Sequence, residues 1–291
     1  MAIADHVQGW EPTPVELTET LAAAPSTAFA GVLDQPPPGP ELPPLWTGFH
    51  FLELPATAEL GEDGHPREGH FLPPIPHRRR MFAGGRLTVR EPLRIGDTVT
   101  RRSALTSIVP KSGRSGDMLF VTLRHEYVRA GDGACGVDRG HGEVVQTEEQ
   151  DVVYRQQEPG APRAATPEIP EPGPLPVGPH VALTPDEVLL FRMSALTYNA
   201  HRIHHDLPYT TQVEGFPGLV VHGPLLALLL LELPRRFSPD ERVASFEYRL
   251  RRPAFCGSPL VATASPTAEG DDVACGVPGA DPSITGTLTY A

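Results

Sequence analysis

Apolar and polar positions divide the chain into two stretches, and in each of them a helical pattern comes before a series of strand patterns. In the first stretch, apolar residues at helical spacing predict a helix over Val15–Leu33. Candidate strands follow at Arg86–Pro92, Asp97–Ile108, Met118–Val128 and Glu143–Tyr154. Strict alternation around Val121, Leu123 and Tyr127 is typical of a half-buried strand, and Lys111–Gly116 is predicted to be the turn before it.

The second stretch repeats this order. Thr184 is a suitable N-cap and Pro185 a suitable first residue for a helix that runs to about Leu196. A second helix is predicted from Pro224 to about Leu233, closed by Pro234. Four candidate strands come after it, at Val243–Arg251, Pro259–Ser265, Asp272–Gly276 and Ser283–Tyr290.

The helix predicted over Pro224–Leu233 is apolar on nearly every face, and Glu232 is its only charged residue. Such a helix must be enclosed, and the antiparallel strands are the only cover that the sequence offers. One buried helix inside a rolled sheet is the hotdog arrangement. The repeated order therefore predicts an α+β fold, a double hotdog of two tandem units, each a curved antiparallel sheet around a central helix.

A proline-rich segment lies between the two stretches. It covers Glu158–Pro179 and contains few large apolar residues, which is typical of an extended linker. We therefore expect an N-terminal unit at 1–157, a linker at 158–180 and a C-terminal unit at 181–291.

Composition narrows the possible partners. With 24 basic and 36 acidic residues the formal net charge is −12, which argues against nucleic acid and anionic membranes. Local arginine clusters such as Arg78–Arg80 suit either a small anionic ligand or solvated strand ends.

Targeting signals are not evident. The three cysteines form no CxxC motif, which fits a reducing compartment, and the first ten residues lack the features of a secretory signal. The longest apolar run, Leu225–Leu231, is far shorter than the roughly 20 residues of a membrane span. We expect a cytoplasmic protein.

The segment TYNAHRIHHD, at positions 197–206, carries three histidines around Asn199. His201 and His205 have the i, i+4 spacing of zinc-binding helices, but Arg202 stands where such motifs need a glutamate. The sequence identifies no third ligand, and an arginine beside the site would oppose a cation. We therefore predict no metal here.

The same segment also suits acid–base chemistry. A neutral imidazole at His204 can take and return a proton, and the amide of Asn199 can orient a water. Further along, the free N–H groups of Gly223 and Leu225 open the apolar helix and can polarise a thioester carbonyl. Together they could add water to a double bond conjugated to a thioester. The residues alone leave open the alternative of a polar loop between domains.

Several motifs in one order resemble the MaoC-like hydratases and dehydratases, in the branch that includes mesaconyl-C4-CoA hydratase and the type 2 hydroxyacyl-thioester dehydratases. In the second stretch the motifs are NAHRIHHD and VEGFPGLVVHGPL. In the first they are LPPLWTGFHFL, LGEDGHP, FLPPIPHRRRMFAGGRL, GDTVTRRS and EEQDVVYR. The resemblance covers nearly the whole chain and weakens in the linker and after about Val261.

The resemblance implies that the C-terminal unit is catalytic and that the N-terminal unit widens the acyl pocket. His204 falls on the histidine of the broader hydratase motif and Asn199 on its aspartate, so a carboxylate base is absent, and asparagine at this place is usual in the branch that the chain resembles. The implied catalytic residues are His204, Asn199 and Gly223. The implied substrate-binding residues are His201, Arg202, Tyr209, His222, Leu225, Arg79 and Arg80.

Two other functions remain open at this point, a hotdog thioesterase and a non-catalytic acyl-CoA binder or assembly partner. The implied substrate is a thioester of coenzyme A or acyl carrier protein, with a short branched or dicarboxylic acyl group such as mesaconyl among the candidates. We expect no further cofactor, and a homodimer is possible.

Overall fold

A computed structural model describes residues 2–113, 116–130, 142–156 and 166–291, and its strands form one ten-stranded sheet. The first half contributes β1 (Val15–Thr20), β2 (Arg78–Val89), β3 (Thr98–Gly113), β4 (Gly116–Arg129) and β5 (Val144–Gln156). The second half contributes β6 (His180–Leu183), β7 (Val243–Leu250), β8 (Leu260–Pro266), β9 (Gly270–Gly276) and β10 (Ile284–Tyr290). The order is β1-β3-β4-β5-β2-β7-β10-β9-β8-β6, and neighbours pair antiparallel.

The two halves join where β2 lies between β5 and β7. Gly84 and Gly85 on β2 face Arg249 and Tyr248 on β7, and a bulge interrupts the β2–β5 register just before Gly84. Gly84 has a φ of +153°, and a Cβ there would collide with the carbonyl of Tyr248. A glycine is therefore required for the two backbones to approach at this seam.

The apolar helix of the second half is α4, Gly223–Phe237, and its residues Leu225–Pro234 are all buried. It packs against the strands of its own half, and the hotdog fold is confirmed. The predicted end at Pro234 was wrong. Arg235 and Arg236 both bond to Glu232 one turn earlier, which holds the last turn together beyond the proline.

The two halves differ in their helices. Among the described residues the α-helices are α1 (Ala23–Val32), α2 (Glu187–Leu196), α3 (Leu207–Gln212) and α4. The described part of the first half thus has only α1, which packs against α2. Between α1 and β2 the chain forms short 3-10 turns at Trp46–Phe49 and Thr57–Glu59. The long segment between α1 and β2 instead lines the cleft described below.

The helix predicted over Val15–Leu33 was wrong in its first third. Val15–Thr20 is β1, whose threonines bond across to β3, Thr18 to Thr100 at 2.8 Å and Thr20 to Thr98 at 3.0 Å. A partner strand outweighed local helical spacing here, and the helix begins only at Ala23.

Other boundaries shifted as well. The strand predicted at Arg86–Pro92 begins at Arg78, because β2 pairs with β5 along its whole length. The N-cap of α2 is Asp186 rather than Thr184, since its carboxylate accepts from the Leu189 N–H at 2.7 Å. In the remaining predicted strands the core residues agree and the ends move by a few positions.

Two elements were not predicted, β6 and α3. Because β6 begins at His180, the expected linker at 158–180 overlaps it by one residue, and residues 158–165 lie outside the described part. The same holds for Arg114 and Ser115 in the predicted turn, although Gly113 pairs with Gly116. The division into two functional units stays a prediction. None of the described helices is long and apolar enough to cross a bilayer.

The seam between the halves gives a first prediction. Replacing Gly84 with alanine should lower the free energy of unfolding by more than the ~1–3 kcal/mol of an unfavourable φ alone, because the new methyl also meets the β7 backbone. Gly96→Ala is the matched control, since Gly96 has φ +95° and open space around it. Equal losses in urea denaturation would show that the close approach at Gly84 is unimportant.

Candidate active site

A single large cleft of about 2690 Å³ opens at the N-terminus of α4 and is lined from both halves of the chain. The second half supplies Asn199, His201, His204, His222 and Gly223. From the first half come the segment before β2, residues of β2 itself, and inner-face residues of β3–β5. The predicted catalytic residues therefore share one cavity.

His204 is buried beside the mouth of α4. Its Nδ1 lies 2.7 Å from the carbonyl oxygen of Val220. A carbonyl can only accept, so Nδ1 carries the proton and Nε2 presents a lone pair. Burial lowers the pKa of His204 to about 4, although the bond to Val220 acts in the opposite direction. The ring is therefore neutral at physiological pH and suited to act as a base at Nε2.

His222 stacks on His204, with ring centroids 3.7 Å apart and an interplanar angle of 16°. Its Nε2 lies 2.9 Å from the hydroxyl of Ser194 on α2. Burial, followed by the nearby charge of His204, holds the pKa of His222 well below its ordinary value. His222 thus supports the face of the His204 ring as a neutral neighbour and leads directly into α4.

Gly223 is the first residue of α4, so its N–H has no acceptor within the helix. A Cβ at this position would lie 2.9 Å from the side chain of Leu250 and 3.2 Å from that of Phe82, so these side chains would have to shift to accommodate it. The N–H of Gly223 lies at the positive end of the helix dipole and at the cleft. The side chain of Leu225 is buried in the core outside the cleft lining, so only its N–H is available in this role.

Asn199 follows α2 and is half-buried. Its Oδ1 accepts from the N–H of His201 at 3.0 Å, which closes a turn and determines the orientation of the amide. The amide nitrogen is then the group that remains for a water or a substrate. At this position the side chain can donate a hydrogen bond but cannot move a proton.

His201 lines the cleft between His204 and the first half, and its ring meets that of His204 edge-on at 5.5 Å. Burial lowers the pKa of His201 to about 2, and the charges of His65 and His204 act in the same direction. The charge of Arg80, on β2, also contributes to this shift. Arg80 is an exposed cleft residue that pairs with no carboxylate among the described residues.

The predicted binding residues Arg202, Tyr209 and Arg79 belong to one connected set of side-chain contacts with Asp206 and Glu214, which we call the brace. The guanidinium of Arg202 pairs with Asp206 at 2.7 Å and covers the ring of Tyr209 at 4.0 Å, and it does not line the cleft. The Tyr209 hydroxyl donates to Glu214 at 3.1 Å, and burial, aided by Glu214, raises its pKa to about 12. Arg79 forms an ion pair with the same glutamate. Arg79 and Tyr209 line the cleft with their polar ends engaged.

Sequence reasoning assigned no role to Asp63 and His65 of the LGEDGHP motif, yet the structure brings both to His201. The ring of His65 lies 4.0 Å from that of His201. Donor atoms of Asp63, His65 and His201 lie within 4.8 Å of one another, close enough to share a divalent cation. The only signal in the sequence was the motif itself, because the contact joins residues about 140 positions apart.

The first half also gives the cleft a polar inner wall. Ser103 and His125 bond to each other at 2.7 Å, and Glu148 accepts from Gln150 at 2.7 Å, all of them residues that line the cleft. Burial lowers the pKa of His125 to about 3, and the charge of Arg101 adds to the shift. This wall suits polar groups better than a long alkyl chain.

Comparison with known proteins agrees with this geometry. Residues 48–256 match the family described as hydroxyacyl-thioester dehydratase type 2. A mesaconyl-C(4)-CoA hydratase of Chloroflexus aurantiacus is 40% identical over 297 residues, covering 99% of each chain. The structure of HtdX from Mycobacterium tuberculosis gives a TM-score of 0.62 at 15% identity, covering 96% of this chain and 100% of the other. A MaoC-like dehydratase from Phytophthora capsici gives 0.61 at 15% identity, with 99% and 98% coverage. The chain belongs to the hydroxyacyl-thioester dehydratase type 2 family.

Proposed function

We propose that the protein is a hydro-lyase that reversibly adds water to an α,β-unsaturated acyl thioester. The observation that carries this proposal is the meeting of two groups in one cleft. They are the lone pair on Nε2 of His204 and the free N–H of Gly223 at the start of α4. A base and an oxyanion donor are the two groups that conjugate addition of water requires.

The reaction follows from these positions. The N–H of Gly223 polarises the thioester carbonyl, so that negative charge can develop on its oxygen. The amide nitrogen of Asn199 holds a water near Cβ, and Nε2 of His204 takes a proton from that water as its oxygen bonds to Cβ. Protonation of Cα completes the hydration, and dehydration is the reverse.

A thioesterase is less well supported. That chemistry usually needs a carboxylate on the buried helix facing the thioester. The carboxylate of α4, Glu232, lies near the opposite end of the helix, where it is buried and paired with Arg235 and Arg236 at 2.7 and 2.9 Å. A non-catalytic acyl-CoA binder would not need the hydrogen bond from His204 to Val220, which selects the tautomer whose basic nitrogen is Nε2.

The acyl group is proposed to be short and dicarboxylic. Arg80 lines the same cleft as His201 and has no carboxylate partner among the described residues, and the inner wall of the cleft is polar. The relative that is 40% identical is named for mesaconyl-C(4)-CoA. In such a thioester one carboxyl group is bound to coenzyme A and the other is a free carboxylate. An arginine suits that carboxylate because its planar donors bind both oxygens.

The proposal includes coenzyme A as the carrier and no further cofactor. A cytoplasmic location is supported by Cys256 and Cys275, which are both free thiols. A homodimer stays a prediction.

Replacing His204 with alanine should lower kcat for hydration of crotonyl-CoA or mesaconyl-CoA by roughly 10²–10⁴-fold, the usual contribution of a general base. The hydration rate is measured as the loss of the enoyl-thioester absorbance while no free CoA thiol is released. His180→Ala, which lies outside the cleft, is the matched control and should leave the rate unchanged. Wild-type rates in His204→Ala would contradict the assignment.

The pH profile gives an independent reading of the same residue. The base form of His204 is the neutral ring, and its pKa is lowered to about 4. The wild-type rate should therefore not fall by half near pH 6.5, where an ordinary histidine is protonated, but only as the pH approaches about 4.

Asn199→Asp would introduce the carboxylate of the broader hydratase motif. The new oxygen can still accept from the His201 N–H, so the local turn should persist. We expect measurable hydration, with an added pH dependence from the carboxyl group. Unchanged kinetics and pH dependence would place residue 199 away from the reacting water.

Arg80→Gln should raise the KM for a dicarboxylic enoyl-CoA by tenfold or more, about 1.4 kcal/mol, because a charge-assisted bond is lost. The KM for crotonyl-CoA, which has no second carboxylate, should change little. Equal effects on the two substrates would assign Arg80 to the coenzyme A moiety instead.

A further inference from the structure

A second titratable pair lies in the cleft and is not used by the reaction as written above. Asp63 and His65 come from the segment between α1 and β2. Nδ1 of His65 lies 3.1 Å from Oδ2 of Asp63, and the backbone N–H of His65 donates to Oδ1 at 3.0 Å. Their side chains are 34% and 21% exposed, so the pair borders the cavity without being sealed from it.

This turn is attached to the catalytic segment at several points. The carbonyl of Asp63 accepts from the N–H of Arg202 at 2.8 Å, and that of Glu62 accepts from its guanidinium at 3.0 Å. Gly64 has φ +86°, and a Cβ there would collide with the carbonyl of Ala200. The backbones of the two segments are therefore in direct contact. This contact fixes the position of His65 relative to the residues around His204.

The rings form a row along the wall. The ring centroids of His65 and His201 lie 4.0 Å apart and those of His201 and His204 lie 5.5 Å apart, so that both His65 and His204 are neighbours of His201. The carboxylate of Asp63 identifies Nδ1 of His65 as the protonated nitrogen. Among the described residues, Nε2 of His65 has no hydrogen-bond partner and is available to a substrate.

Hydration of a double bond involves two proton transfers, one from the water at Cβ and one to Cα. Asn199 cannot perform either transfer, since an amide does not titrate. His201 is held neutral by burial, with its pKa lowered to about 2, and a nitrogen of His222 bonds to Ser194. Burial alone would raise the pKa of Asp63, but its two hydrogen bonds to His65 and the charges of His65 and His201 together lower it to about 2, so a full carboxylate faces His65.

We propose that Asp63 and His65 form the acid–base pair for Cα, supplied by the first half in place of the carboxylate that the broader hydratase motif has at the position of Asn199. This rests on the proposed hydro-lyase reaction. During hydration, the water oxygen bonds to Cβ and its proton passes to Nε2 of His204. For this step His65 carries a proton on both ring nitrogens, with Nδ1–H held by Asp63. The π electrons of the double bond then form a C–H bond at Cα with the proton on Nε2, which leaves the ring of His65 neutral and Asp63 ionised. Exchange with bulk water removes the proton from His204 and returns one to His65.

In this division of roles His65 is a catalytic residue, because its Nε2 meets the reacting carbon. Asp63 is a positioning residue, because it acts through the ring of His65.

Deuterium exchange separates the two proton transfers. A saturated thioester cannot be hydrated, so incubation of butyryl-CoA or methylsuccinyl-CoA with the enzyme in D₂O reports only on Cα, and mass spectrometry counts the deuterium. We expect His204→Ala to lose hydration yet keep this exchange within a few-fold of wild type. His65→Gln should lose the exchange by at least tenfold. Exchange that survives in His65→Gln, or disappears in His204→Ala, would overturn the proposal.

Two further variants exclude a purely structural role. His65→Phe keeps a ring against His201 but carries no proton, so it should behave like His65→Gln, whereas a stacking role would let it retain activity. Asp63→Asn keeps an acceptor for Nδ1 without the charge, and it should lower kcat and the exchange rate with little change in KM. Wild-type exchange in either variant counts against the pair.

Two outcomes separate this inference from its alternatives. If Asp63, His65 and His201 instead hold a metal ion, EDTA will abolish the exchange and added Zn²⁺ will restore it, which would overturn the proposal. If the wild type exchanges Cα protons but hydrates none of the enoyl-CoAs tested, the proposed reaction fails while the assignment of Asp63 and His65 stands.

Discussion

The structure depends on the burial of α4. Ten consecutive residues of this helix are inaccessible, and each fully buried leucine contributes roughly 1.5–3 kcal/mol relative to exposure. A helix of this kind is stable only when the sheet surrounds it, and the sheet must be open somewhere for a ligand to reach it. That opening lies at the N-terminus, so the site where a substrate can enter is also the site where unpaired N–H groups emerge.

The surroundings of this opening explain its chemistry. Buried imidazoles are costly to protonate, so the stacked pair of His204 and His222 remains neutral. The carbonyl of Val220 then selects which nitrogen of His204 is basic. With Asn199 at the position of the broader motif's aspartate, this dry region lacks a negative charge, and ionised Asp63 lies at its more exposed edge, in a turn that belongs to the first half.

The site is incomplete without either half of the chain. Backbone contacts join the Asp63 turn to Arg202, and Arg79 on β2 pairs with Glu214 near α3. Continuous pairing of β2 with β7 holds these contacts in register. The first half therefore contributes a wall, charged groups and a histidine, in addition to the widened pocket that its resemblance to the family implies.

The sequence by itself determined the hotdog fold, the buried helix and the positions of most strands along the chain. It could do so because apolar periodicity is a local property. It also singled out His204, Asn199 and Gly223 as candidate catalytic residues, since these fall within short motifs of the chain. Only the tertiary structure decided that Val15–Thr20 is a strand, because its partner lies about 80 residues away in β3. For the same reason it alone placed Arg202 in a brace and brought His65 to His201. Contacts between segments distant in the chain depend on how the sheet closes, which no local pattern encodes.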